Sequence, residues 1–172
     1  SLMSLAHYTS HRWDALPSHE SYLTAPATED TEQKFHFNDQ DRFRVGLVCS
    51  GNPNHKNDLN RSINMFEVLK ALPEGPEYHL LQKDFRNTDE AAVKLRPDVI
   101  RHDNEISSFA DTASLIDAMD VVVSVDTSVA HLAGALGKNL IVLVPFCGDW
   151  RWGMDRTKST WYPSAQIIRQ TK

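Results

Sequence analysis

The sequence is poor in several things that would each have pointed somewhere definite. Cysteine occurs only as Cys49 and Cys147, with no CxxC pair and no zinc-type spacing. That excludes a disulfide scaffold and leads us to expect reduced thiols in a cytoplasmic protein. No apolar run approaches the ~20 residues of a membrane-spanning helix, so no membrane span is expected. No secretory leader pattern opens the chain, and Ser1-Leu2 ahead of Met3 reads as a cloning remnant. Basic residues are in the minority, 18 Lys and Arg against 23 Asp and Glu, for a net charge of −5. This excludes the broad cationic footprint of a nucleic-acid surface, though a small anion held at one place remains compatible. Glycine is scarce, with 7 residues and no GxGxxG, so no dinucleotide cofactor is indicated. Metal ligands do not cluster either. His7 and His11 stand at i and i+4 without a third ligand, and no metal is expected.

What is there fits one folded domain. A length of 172 residues, 41% of them apolar and 24% charged, is enough for one real core. Residues 1–41 lack sustained periodicity, and LPSHESYLTAPATEDTEQ is rich in Pro, Ser, Thr and acids. We read 1–41 as a connector and 42–172 as the domain. Strands are predicted at 43–50, 78–82, 98–102, 121–125, 139–144 and 165–170. Helices are predicted at 62–72 with Ser62 as N-cap and Ile63, Phe66, Leu69 and Leu72 on one face, near 88–95, at 111–119 capped by Asp111, and at 127–136. Strands alternating with helices mean parallel βαβ units. Runs such as VVVSV and LIVLV are apolar on both faces, as strands sandwiched between helices must be. The expected fold is α/β: a doubly wound, mainly parallel, Rossmann-like sheet of five to six strands. Ligands of such sheets bind outside the carboxyl ends of the strands.

One stretch stands out, VVVSVDTSVAHLAGALGK over 121–138. A buried strand runs into Asp126, Thr127 and Ser128, and His131 follows one helical turn later. Asp126 is placed at the helix N-cap, and Val129, Leu132, Ala133 and Leu136 form the face that packs on the sheet. Thr127, His131 and Gly134 lie on another face, which begins where free amides and the positive end of the helix dipole make an anion seat. Hydroxyls at 127 and 128 add donors, and His131 can donate to the same ligand.

Together with PFCGDWRWGMDR and STWYPSAQIIRQ, this stretch resembles the C-terminal half of a bacterial glycosyltransferase family. The family is related to the heptosyltransferases, has the two-Rossmann-domain glycosyltransferase B fold, and is often fused to tetratricopeptide repeats. RVGLVCSGNPNHKNDLNRSI matches a further motif, and the similarity runs from about Leu16 to Gln170. The resemblance implies a nucleotide-diphosphate-sugar donor site around Asp126, Thr127, Ser128 and His131. Ser50 and Gly51 would form the first loop, and Lys56 and Arg61 would neutralise the leaving group. It implies no metal and no cofactor. Cys49 departs from the pattern, standing where a tryptophan is expected, as does Cys147-Gly148. The family's catalytic base comes from an N-terminal, acceptor-binding domain not seen here, and its closing C-terminal helix is also missing after Lys172. The expected function is therefore the donor-binding half of a glycosyltransferase, weak or inactive alone, with no catalytic residue assigned. The alternatives are a non-catalytic nucleotide- or sugar-binding module and a sugar-nucleotide epimerase.

Outside these motifs, Lys83 follows a strand and could reach a phosphate. His55 and Asp58 share the 52–62 loop with Lys56 and Arg61 but have weaker cases. An acid near Glu105 could hold ribose hydroxyls. Trp150, Trp152, Trp161 and Tyr162 cluster after the fifth strand, either to stack a ring or to pin a long loop.

Overall fold

A computed structural model describes residues 20–26, 34–39 and 41–171. His7, His11 and the Ser1-Leu2 pair lie outside these residues.

Six strands form one sheet: β1 (Arg44–Val48), β2 (Glu77–Leu80), β3 (Ile100–Arg101), β4 (Val121–Val125), β5 (Leu140–Val144) and β6 (Ala165–Arg169). They are all parallel, in the order β3-β2-β1-β4-β5-β6. The doubly wound α/β fold is therefore as expected. Between the strands lie α1 (Asp58–Arg61), α2 (Met65–Ala71), α3 (Asn87–Lys94), α4 (Phe109–Asp117) and α5 (Ser128–Ala135). The β5–β6 connection carries only a 3₁₀ turn, Trp150–Trp152.

Two apolar clusters follow from the period-2 alternation of the strands. On one face Val45, Leu47 and Cys49 pack with Met65 and Leu69 of α2 and Ala92 and Val93 of α3. On the other, Val48, Val122, Val142 and Ile167 pack against Leu115 and Ile116 of α4 and Ala130 and Ala133 of α5. The strand order reverses between β1 and β4. That reversal splits the loops at their carboxyl ends and opens a crevice there.

Parts of the N-terminal stretch lie on this domain. The Tyr22 and Leu23 amides donate to the Ala135 carbonyl at 3.0 and 3.1 Å, and Phe35 is buried in the second cluster.

Three local expectations need correction. The helix expected over 62–72 begins at Met65, because the Asn64 side chain accepts from the Phe66 amide. Ile63 instead donates its amide to the Cys49 carbonyl, and the buried face is Met65 and Leu69, with Ile63 and Phe66 exposed. Helix α4 is capped by Ser108; Asp111 sits at the third helical position and reaches back to the Ser108 amide as the other half of a capping box. Helix α5 has Thr127 at its N-cap, one residue later than expected, which leaves the Asp126 carboxylate outside the helix.

Candidate functional site

The ends of β1 and β4 bring Ser50, Gly51, Asp126, Thr127 and Ser128 together, with Arg61 delivered by α1. Gly51 makes the room for Arg61: a Cβ on it would lie 2.5 Å from Arg61 Nη2 and 3.2 Å from Thr127 Cγ2. Into that space Arg61 lays its guanidinium, with Nη1 donating to the Asp126 carbonyl at 3.0 Å and Nε 3.7 Å from Asp58 Oδ1. Asp58 is itself buried and accepts from Ser62 and Arg86, so its work is to fix the loop.

The two hydroxyls of the turn differ. Ser124 donates to the Val125 carbonyl at 2.7 Å, so at the 3.2 Å contact between Ser124 Oγ and Thr127 Oγ1 the threonine is the donor. Thr127 thus locks the turn to β4, while Ser128 is exposed to the crevice. Ser50 is buried and accepts from Gln82 Nε2 at 3.2 Å, and Gln82 Oε1 accepts from the Cys49 amide at 3.0 Å. Burial pushes the Cys49 thiol up to about 12, with Asp89 adding to the rise, so it stays a protonated packing group.

The turn separates two clefts. The first, about 480 Å³, is lined by buried Leu81, Ile106, Ser50 and Gln82, with exposed Phe109 and Ser108 at its mouth. The second, about 630 Å³, is bordered by Asn57, His131, Cys147, Asp149, Arg151 and Tyr162. Arg61, Thr127 and Ser128 line both. The cationic guanidinium and the amino end of α5 therefore lie where the two clefts meet, which suits a ligand with an anionic centre and two different ends.

His131 borders the second cleft. Its Nδ1 is 3.0 Å from the Tyr162 hydroxyl, its Nε2 is 3.7 Å from Asp126 Oδ1, and its ring stacks on fully buried Trp152 at 5.0 Å and 16°. Burial lowers its pKa, against the opposing effect of Asp126, and the imidazole is neutral at pH 7. Gly134 serves Tyr162 more than the sheet: a Cβ there would strike the phenol ring at 2.4 Å.

Other residues singled out from the sequence fall elsewhere. Lys83 stands exposed on the rim of the first cleft. Lys56 is exposed and borders neither of the two, because the turns over 52–58 carry it out to solvent. His55 borders the second. Glu105 borders neither cleft, and its Oε2 lies 2.5 Å from His102 Nδ1. Among the described residues no three His, Cys, Asp or Glu side chains gather as a metal site, and no helix is long and apolar enough to cross a membrane. Gln82, Ser108 and Phe109 escaped the sequence reading, and Tyr162 was named there without its histidine partner. Only Tyr162 carried a signal, as one of four clustered aromatics.

Comparison with known proteins bears on the same region. Residues 107–147, from the start of α4 through β5, match Glycosyltransferase family 9 (heptosyltransferase). The turn at 126–131 lies inside that span. The E. coli ADP-heptose LPS heptosyltransferase II structure is 18% identical and superposes with a TM-score of 0.56 over 91% of this chain and 48% of its own. E. coli heptosyltransferase WaaC with ADP is also 18% identical, with a TM-score of 0.48 over 76% of this chain and 38% of its own. No curated protein sequence matches the chain. The chain thus spans about half the length of heptosyltransferase II, and the likeness shows the fold, a Rossmann-like α/β domain.

Proposed function

We propose that this chain is the donor-binding half of a heptosyltransferase-related glycosyltransferase and takes a nucleotide-diphosphate sugar. The nucleoside lies in the first cleft, against Leu81, Ile106 and Phe109. The pyrophosphate sits on the turn at Asp126–Ser128 beside Arg61, and the sugar enters the second cleft toward Asp149 and Arg151. One observation carries this reading: the amino end of α5 and the Arg61 guanidinium stand together at the β1/β4 strand-order reversal, on the boundary shared by both clefts.

The chemistry follows from that placement. Breaking a sugar–phosphate bond leaves negative charge on the departing diphosphate. Backbone amides and a guanidinium already fixed in place stabilise that charge without reorganising, and typically supply 2.7–4 kcal/mol of barrier lowering per donor, as an order of magnitude. The acceptor and the base that activates it belong to a second domain, so this half alone turns over poorly. The matching relative is about twice as long, which motivates that division.

Calorimetric titration with ADP, GDP and UDP tests the reading. At least one should bind, and Ser128→Glu, which sets a carboxylate on the exposed lip of the turn, should weaken it at least ~10-fold, about 1.4 kcal/mol. Absence of binding by all three, or equal binding by the variant, would overturn it.

A further inference from the structure

We propose that Tyr162 is a positioning residue: its hydroxyl donates to His131 Nδ1, fixes the neutral ring as the Nε2–H tautomer, and aims that N–H at the anion seat on the Asp126–Ser128 turn. For its ligand the inference rests on the donor-site reading above; for the tautomer it rests on the geometry of the free protein.

Proton counting settles the direction of the bond. A neutral imidazole has one N–H and one lone pair. Nε2 faces Asp126 Oδ1 at 3.7 Å, and an ionised carboxylate only accepts. The opposite tautomer would set a nitrogen lone pair against that carboxylate. With the proton on Nε2, Nδ1 must accept, and the group 3.0 Å away is the Tyr162 hydroxyl. Tyr162 can afford to give its proton. Burial above all raises its pKa, so it remains a phenol throughout the working range, and the Tyr22 ring stacks beside it at 6.5 Å. Tyr22 is held in turn by its amide bond to the Ala135 carbonyl. The run Tyr162, His131, Asp126 is therefore polarised in one direction, into the crevice.

The packing holds the ring to this task. Trp152 covers one face, and the missing Cβ of Gly134 admits the phenol close to α5. Tyr162 and Asp126 contact the imidazole directly, while Arg151 and Asp149 act on its charge from across the second cleft. When a diphosphate enters, the Nε2 proton has a phosphate oxygen available in place of the distant carboxylate. A ring free to flip or to change tautomer would present a lone pair to the anion part of the time.

The test is long-range proton–nitrogen NMR of the histidine rings, combined with titration by ADP, GDP and UDP, on the wild type, Tyr162→Phe, His131→Ala and the double variant. Phenylalanine keeps the ring that packs beside Gly134 and Trp152, so the fold is expected to survive; Tyr22→Phe, which leaves Tyr162 in place, is a milder second variant. In the free wild type His131 should carry its proton on Nε2 and titrate below pH 6.5. In Tyr162→Phe, loss of the donor that favours the neutral ring should move the Nδ1 resonance, raise the titration midpoint, and weaken nucleotide binding about 5-fold. Tyr22→Phe should shift the same signals less. The double variant should bind no more weakly than His131→Ala, since Tyr162 acts only through the histidine. A wild type protonated on Nδ1, or His131 nitrogen signals and titration unchanged in Tyr162→Phe, would overturn the proposal. So would a further loss of affinity in the double variant. If no nucleotide binds the wild type while the ring signals behave as expected, the donor-site reading fails and the positioning role of Tyr162 stands.

Discussion

Two histidine settings among the described residues part company in how they are closed. His131 has an Asp126–His131–Tyr162 arrangement with 32% of its side chain still exposed to the second cleft. His79 and His102 form a sealed run. His79 Nδ1 lies 2.9 Å from His102 Nε2, His102 Nδ1 lies 2.5 Å from Glu105 Oε2, and His79 Nε2 lies 3.0 Å from Glu77 Oε1. Both rings are 0% exposed, with Phe35 and Phe37 against their edges and faces. Burial is the leading cause of a lowered pKa in all three. A perturbed pKa therefore does not distinguish site from scaffold here; access does. The sealed pair ties β2 and β3 to the segment at 34–39, whose Asn38 amide donates to the Glu77 carboxylate at 3.1 Å. The open one faces a space that a ligand can enter.

Breaking the sealed pair should give the largest effect. His79→Ala removes a fully buried ring and leaves His102 Nε2 without its partner, and should cost about 2–4 kcal/mol in urea unfolding. His131→Ala should cost about 1 kcal/mol or less and act instead on nucleotide affinity. Acid should separate the two as well. The sealed rings are neutral when folded but titrate near pH 6.5 when unfolded. The unfolded chain then binds more protons, so their contribution is complete above pH 6.5 and is lost as pH falls below it, by about 1.4 kcal/mol per pH unit for His79, whose pKa burial lowers to about 3, with His102 adding in the same direction. Urea midpoints measured from pH 7 to pH 5 should fall steeply, and a His79→Leu, His102→Leu double variant should flatten the fall. An equally steep fall in that variant would assign the acid sensitivity to the carboxylates.

Gly51→Ala should be intermediate. Its new Cβ meets the mobile end of Arg61, 2.5 Å from Nη2. The guanidinium can swing away, so folding should lose less than ~1 kcal/mol, but the bond to the Asp126 carbonyl goes with it. Nucleotide affinity should drop about 5- to 10-fold by calorimetry. Unchanged affinity would take Arg61 out of the anion seat and leave the open setting with His131 alone.

How much of this could be seen in the sequence depended on how local the cause was. β4 and β5 were legible because VVVSV and LIVLV are apolar on both faces, and burial between two helical layers is the physical reason. The strand–turn–helix at 121–136 was legible for the same reason, and with it the place of Ser128 and His131. Helix α2 was displaced because one side-chain bond, from Asn64 to the Phe66 amide, outweighed an apolar spacing that suited a start at Ser62. Tyr162 and Gln82 were not legible as partners. They meet His131 and Ser50 across 31 and 32 residues of chain, through contacts only the assembled sheet creates. The sealed histidines left no mark at all, since two histidines 23 residues apart have no period.

The smallest expected effect sharpens the open setting from outside. Lys83 and Lys56 are both exposed cations next to carboxyl ends of strands; the resemblance favoured Lys56 for the leaving group but could not say which of the two lies by a cleft. The fold does: Lys83 borders the first cleft, and Lys56 borders neither. An exposed charge acts on an anion through solvent and is screened within about 8 Å at physiological ionic strength. Lys83→Ala should therefore weaken nucleotide diphosphate binding by about 2- to 3-fold in low salt, and the loss should shrink toward nothing near 0.5 M, where screening is on the order of 4–5 Å. Lys56→Ala should change affinity by less than about 1.5-fold at either salt concentration. The reverse order would mean that the 52–58 loop folds over the ligand on binding, and that Lys56 belongs to the seat after all.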